Sequence, residues 1–101
     1  MQDALLRKMF LGFIHIHILH HAGREPFYGS WMIEELALHG YDMSAGTLYP
    51  IRHGLQKDGL LSVEKRVDGG RARKYYALTP TGETVLREAR LKAEELVREV
   101  L

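Results

Sequence analysis

A chain of 101 residues with no cysteine and a net charge of +1 has the size of one domain with a modest core, and association with a second copy would add to its stability. It carries no disulfide framework, thiolate metal site or cysteine nucleophile, so the cytoplasm is the expected compartment. The apolar run Met9 to Leu19 is too short to span a bilayer and is interrupted by His15 and His17, and nothing at the amino terminus reads as a signal peptide. The charge is unevenly placed, at −2 over residues 1–51, +4 over 52–78 and −1 over 79–101. A local cationic excess of this kind favours a polyanion partner.

Gln2 to about His21 reads as a helix rich in Leu, Phe and Ile. It is apolar on most of its circumference and is therefore expected to be buried as core or interface. His alternates with apolar residues from Ile14 to Leu19, as in a strand, but the run is longer than a typical strand. Gly23 to Pro26 reads as a loop. A second helix follows from Gly29 or Ser30 to about Leu38, with Met32, Ile33, Leu36 and Ala37 inward, and ends at His39-Gly40. Gly40-Tyr41-Asp42-Met43 then supplies the turn of a helix-turn-helix.

The third helix begins at Ser44, whose hydroxyl can cap it, and runs through Lys57 and Asp58. Leu48, Ile51 and Leu55 form its apolar strip. Opposite them lie Gly46, Tyr49, Pro50, His53 and Lys57, a face that is small, then aromatic, then cationic, suited to a narrow space lined with negative charge. Pro50 removes a helical donor and presses on the Gly46 carbonyl, which predicts a distorted or partly 3₁₀ first turn. Gly59 stops the helix. Strands are expected over Leu60 to Val67 and Arg73 to Leu78, around a turn at Asp68-Gly69-Gly70. Arg71, Arg73 and Tyr75 share one face of the ribbon, and Ala72, Lys74, Tyr76 and Leu78 share the other. Helix followed by basic hairpin is the order of a winged helix-turn-helix, an α+β fold. Thr79-Pro80 opens the last helix as cap and first-turn proline. Leu86, Ala89, Ala93, Leu96 and Val100 then step by three and four, a short seam suited to packing on the first helix or on a second subunit.

A ribbon carrying Arg71, Arg73 and Lys74 around two glycines can lie along a DNA minor groove. Read alone, it is as well explained as a solvated turn; beside the third helix, both elements point to one ligand. His17, His20 and His21 share one side of a helix, a candidate face for zinc, nickel or copper. Histidines on an apolar face more often pack and hydrogen-bond than bind metal, and no fourth ligand is identifiable, so no metal and no cofactor is expected. Phe27 and Trp31, with Tyr28, could line an effector pocket or an interface, although such clusters are more often simply core. Glu34-Glu35 reads as a solvated helix face. No nucleophile with an oriented base and no phosphate loop is present, so the chain is not expected to be an enzyme.

The strings Gly46-Thr47-Leu48-Tyr49-Pro50, Leu55-Gln56-Lys57-Asp58-Gly59-Leu60, Gly70-Arg71, Lys74-Tyr75-Tyr76 and Leu78-Thr79-Pro80-Thr81-Gly82 together resemble the short branch of the PadR family of bacterial and archaeal transcriptional regulators. The resemblance covers nearly the whole chain, from Leu5 through the last helix. It implies a homodimeric winged-helix repressor whose third helix and wing touch DNA and whose last helix dimerises. Carried over by position, Ser44, Thr47 and Tyr49 would meet the major groove, and Gly70, Arg71, Arg73 and Lys74 would be wing contacts. It also implies a small aromatic or hydrophobic effector. Arg52 stands where the family usually has leucine, Gly54 where it usually has a basic residue, Ser30 and Trp31 where it commonly has tyrosine and an acidic residue, and Glu34-Glu35 where it has a more basic pair.

The combined expectation is a DNA-binding domain over 1–78 and a dimerisation helix over 79–101. The chain would bind a pseudo-palindromic operator as a repressor relieved by an effector, with no membrane partner. Two alternatives remain open, a protein-interaction module using Trp31 and the acidic second helix, and a metal-responsive regulator using the amino-terminal histidines.

Overall fold

The computed structural model describes residues 2–101. Its elements are α1 (Gln2–Arg24), α2 (Gly29–Leu38), α3 (Ala45–Lys57), β1 (Leu61–Asp68), β2 (Arg71–Leu78) and α4 (Pro80–Val100). Two helix starts follow directly from local chemistry. Ser44 Oγ accepts the Thr47 N–H at 3.3 Å, and Thr79 Oγ1 accepts the Gly82 N–H at 2.9 Å with Pro80 in the first turn. Each cap satisfies a backbone donor that the helix itself leaves unpaired.

The two strands form an antiparallel hairpin whose register runs from Leu61 opposite Leu78 to Asp68 opposite Arg71. Gly69 and Gly70 make the two-residue connection at φ +60° and +79°, the paired left-handed geometry that matches the twist of the flanking strands and that glycine adopts without strain. Strand β2 therefore begins at Arg71, two residues before its expected start. Phe27 adds a short bridge to β2, its N–H donating to the Tyr76 carbonyl at 3.0 Å and its carbonyl accepting the Tyr76 N–H at 2.8 Å.

Ile18, Met32, Leu36, Leu48 and Leu61 are fully buried and come from α1, α2, α3 and β1. Phe27, Tyr76 and Leu86 complete the core around them. Several expectations need correction. Helix α1 continues through Gly23 to Arg24, and a Cβ on Gly23 would stand 2.9 Å from Leu78 Cδ2. Within this chain the second half of α1 packs in the core while Leu5, Leu6, Met9, Phe10 and Phe13 are exposed, which leaves open the interface half of the expectation. Ala37 is also exposed, lying just beyond the apolar stripe that ends at Leu36. Helix α3 is α-helical throughout despite Pro50, with one tighter bond, Thr47 N–H to the Ser44 carbonyl at 3.1 Å, at its start. Pro50 has no N–H to offer the Gly46 carbonyl, and Gly46 lies on the exposed side of the helix.

The wing is anchored where it meets α4. The Thr79 N–H donates to the Leu60 carbonyl at 3.1 Å, and the Thr79 hydroxyl donates to the Gly59 carbonyl at 2.6 Å. Gly82 is buried against the base of the hairpin, where a Cβ would collide with the Leu60 carbonyl oxygen and stand 2.6 Å from Leu78 Cδ1. Gly82→Ala is therefore expected to destabilise the fold by about 1–3 kcal/mol through overpacking, read as a lower urea midpoint at unchanged slope. An unchanged midpoint would show that this contact does not limit the fold.

Candidate nucleic-acid interface

On α3, Leu48 and Leu55 turn into the core and the opposite side is left to solvent. Tyr49 is 52% exposed and stacks on His53, their ring centroids 6.0 Å apart and 11° from parallel. Ser44 and Lys57 are also exposed, and Thr47 is half-buried. Arg52 fills the space between this helix and the hairpin. Its guanidinium carbon lies 5.0 Å from the Tyr49 ring centroid and 4.5 Å from that of Tyr76, a double cation–π contact. Gly29 makes the room, since a Cβ there would stand 2.8 Å from Arg52 Nη1. Arg52 Nε is buried without a hydrogen-bond partner.

The hairpin sets like charges directly opposite one another, Lys65 against Lys74 and Arg66 against Arg73. Such cross-strand pairs repel in an isolated ribbon. Aromatic rings offset part of this: Arg66 lies over Tyr75 at 4.7 Å and Arg73 over Tyr28 at 4.3 Å, and the two tyrosines meet edge to face at 5.6 Å. Tyr75 donates its hydroxyl to Asp68 at 3.2 Å. Among the described residues, Arg52, Lys57, Lys65, Arg71, Arg73 and Lys74 make no ion pair with a carboxylate. A cleft of about 350 Å³ is lined by Tyr28, Ser30, Arg52, Arg71, Arg73 and Lys74, with Ala72, and no acidic side chain contributes to it. Four cations from two elements thus share one concave surface, a geometry that takes a phosphate or a phosphate backbone.

The profile of the transcriptional regulator PadR-like family matches residues 18–88 of this chain. The chain belongs to the PadR-like family of transcriptional regulators. It is 49% identical over 96 residues to the transcriptional regulator Rv3488 of Mycobacterium tuberculosis, covering 95% of this chain and 90% of that protein. Among solved structures it resembles a PadR family transcriptional regulator from Eggerthella lenta, at 35% identity and TM-score 0.77, covering 98% of this chain and 91% of that one. It also resembles a PadR-like transcriptional regulator from Bacillus cereus, at 28% identity and TM-score 0.86, with 92% of each chain covered. The winged α+β fold and the DNA-binding regulatory class read from the sequence are those of this family. No helix of the described residues is long and apolar enough to cross a membrane.

Within the PadR fold the remaining candidate residues divide differently from the sequence reading. Phe27 is buried and belongs to the core, because its backbone bridge to Tyr76 draws its ring inward to stack on Tyr76 at 5.7 Å. Trp31 is half-buried, edge-on to His21 at 5.7 Å, beside a cleft of only about 150 Å³. A larger cleft of about 580 Å³ opens elsewhere, between α1 and the turn into α3, lined among others by Leu6, Phe10, Tyr41, Met43, Ser44 and Thr47. Leu86 is buried within its own subunit, so it leaves the seam expected to face a partner. Ala89 is half-buried, and Ala93, Leu96 and Val100 are exposed together with Leu91 and Val97.

The three histidines do not act as the expected set. His20 Nδ1 pairs with Arg90 Nη2 at 3.1 Å, whereas His17 and His21 gather with His39 from the end of α2. Glu35 is not simply solvated, since it accepts a hydrogen bond from His39 Nε2 at 3.0 Å. Burial holds the His17 pKa below the ordinary value, helped by His39 and His20 and opposed by Glu35. His21 is lowered by burial against the opposing carboxylate of Glu35, and His20 by burial and then by Arg90 and Arg24.

Sequence reasoning passed over Arg52, Lys65, Arg66 and His39 as site residues. The first had a signal, an arginine in a position the family fills with leucine. The two wing cations were legible from the Gly69-Gly70 turn, which fixes the register that sets them opposite Lys74 and Arg73. Arg52→Ala is expected to cost about 1–2 kcal/mol of stability by removing both ring contacts, measured by urea unfolding, with Arg52→Lys intermediate. Equal stability of all three proteins would mean that the arginine bridges nothing in solution.

Proposed function

We propose that this PadR regulator is a homodimeric repressor in which the exposed face of α3 enters the major groove of a pseudo-palindromic operator while the wing tracks the adjacent backbone. The observation that carries this is the carboxylate-free cleft joining Arg52 of α3 to Arg71, Arg73 and Lys74 of the wing. Ser44, Thr47, Tyr49, His53 and Lys57 present the sequence-reading side chains, and Gly70 lets the wing tip approach phosphate closely. Residues 1–78 carry the DNA-reading function. Residues 79–101 supply dimerisation through Ala93, Leu96 and Val100, alongside the exposed Leu5, Leu6 and Met9 of α1. Two-fold symmetry then sets the half-sites about one helical turn apart.

Repression would act by occluding a promoter, and a small aromatic or hydrophobic effector would relieve it by changing the spacing of the two α3 helices. The cleft between α1 and the turn into α3 suits that role better than the Trp31 cleft, being larger and bordered by both the cap Ser44 and Thr47. An effector seated there would bear on the start of α3.

The division of roles is separable by titration. Arg71→Ala or Lys74→Ala should weaken binding to all duplexes and flatten the dependence of log K on log salt by about 0.9 for each phosphate left without its cation. Tyr49→Ala should instead reduce the preference for operator over random DNA. Equal effects of both sets on specific and random DNA would overturn this assignment.

Dimerisation makes a second prediction. Light scattering should give the mass of two chains at micromolar concentration, and Leu96→Asp combined with Val100→Asp should give the mass of one. A double variant that stays dimeric would remove α4 from the interface.

A further inference from the structure

Three imidazoles converge where α1 meets the end of α2. His17 and His21 lie one helical turn apart and share a face. His39 follows α2 and folds back over them, its ring centroid 4.7 Å from that of His17 and 5.8 Å from that of His21. One ring nitrogen from each of the three lies within 4.8 Å of the other two. His21 Nε2 is buried and meets no hydrogen-bond partner, an unusual state for a buried polar atom. Glu35 stands beside them, its Oε2 3.0 Å from His39 Nε2 and 3.9 Å from His21 Nε2.

We propose that His17, His21 and His39 bind one divalent transition-metal ion per subunit, with Glu35 either as the fourth ligand or as the carboxylate that orients His39. Three imidazoles and a carboxylate are the donor set of zinc and of its neighbours cobalt, nickel and copper, and are too rich in nitrogen for magnesium or calcium. Zinc bonds of about 2.0–2.1 Å place tetrahedral ligand atoms roughly 3.3 Å apart, so the cluster closes onto the ion by about 1.5 Å at its widest. Side-chain rotation supplies that movement, and His39 has the most freedom because it lies outside the helix and is exposed.

The assignment differs from the three histidines that helical spacing alone picks out. His20 is engaged by Arg90, and the third ligand comes from another helix. An ion held here ties α1 to the residue just before the turn that feeds α3. The binding claim does not depend on the proposed repressor role, and its test needs no DNA.

The metal-free full-length protein is titrated with zinc sulfate by calorimetry and by thermal melting, and with nickel and copper salts by the fluorescence of Trp31, which lies against His21. One zinc per subunit with a rise in Tm, and quenching of Trp31 by nickel or copper, are expected. Cobalt should give the visible absorption of a tetrahedral site. His39→Ala should weaken zinc binding at least about 100-fold and Glu35→Gln about 10–100-fold, while His20→Ala leaves it unchanged. The metal-free Tm of each variant reports whether it is folded. Absence of heat, melting shift and quenching in the unaltered protein at millimolar metal overturns the proposal. So does binding that survives in folded His39→Ala, or that is lost equally in His20→Ala.

Discussion

The guanidinium of Arg52, held between Tyr49 of α3 and Tyr76 of β2, joins the helix to the wing. Without it, a helix packed through Leu48 and Leu55 and a hairpin projecting from Leu61 would meet mainly at the base of the wing. With it, the exposed aromatic on the helix and the buried aromatic in the strand share one cation. The cost is a charge drawn partly out of water with one nitrogen unpaired, and the aromatic faces on either side offset part of that desolvation. Gly29 belongs to the same arrangement, because a Cβ there would stand 2.8 Å from Arg52 Nη1 and make the guanidinium shift.

Charge placement follows the same logic. Ion pairs on the surface of α4, such as Glu94 with Arg98 at 3.0 Å, are ordinary exposed i,i+4 pairs that contribute little. The wing does the opposite, stacking Lys65 on Lys74 and Arg66 on Arg73 without matching carboxylates for most of them. A stretch that gives up this much electrostatic stability in the free protein is adapted to a polyanion that restores it on binding. The regulatory class of the family agrees with that reading.

Much of the fold was legible because its determinants are local. Ser44 and Thr79-Pro80 announce helix starts, and Gly69-Gly70 announces a two-residue hairpin, each within a few residues of chain. The candidate site was legible in part: Tyr49, Lys57, Arg71 and Lys74 are exposed, on faces that periodicity alone assigns. What escaped depends on contacts between distant segments. Spacing put His20 with His17 and His21, but only the packing of α2 on α1 brings His39 into the cluster and Arg90 onto His20. The repeat from Leu86 to Val100 carries one period, although its first member packs into its own subunit and its last members reach past the end of the core. The amino-terminal half of α1 shows the same ambiguity, since an apolar surface reads alike whether its partner is the same chain or another.

The central claim is that one continuous cationic surface, helix plus wing, recognises a particular duplex. The most direct measurement is fluorescence anisotropy of the purified protein with DNA from its own upstream region and with a scrambled duplex of equal length, at two salt concentrations. The account predicts tighter binding to the native sequence, with a preference that persists at the higher salt while the scrambled duplex is released. Failure to bind either duplex at low salt would contradict it and would turn attention to a protein partner for the same fold.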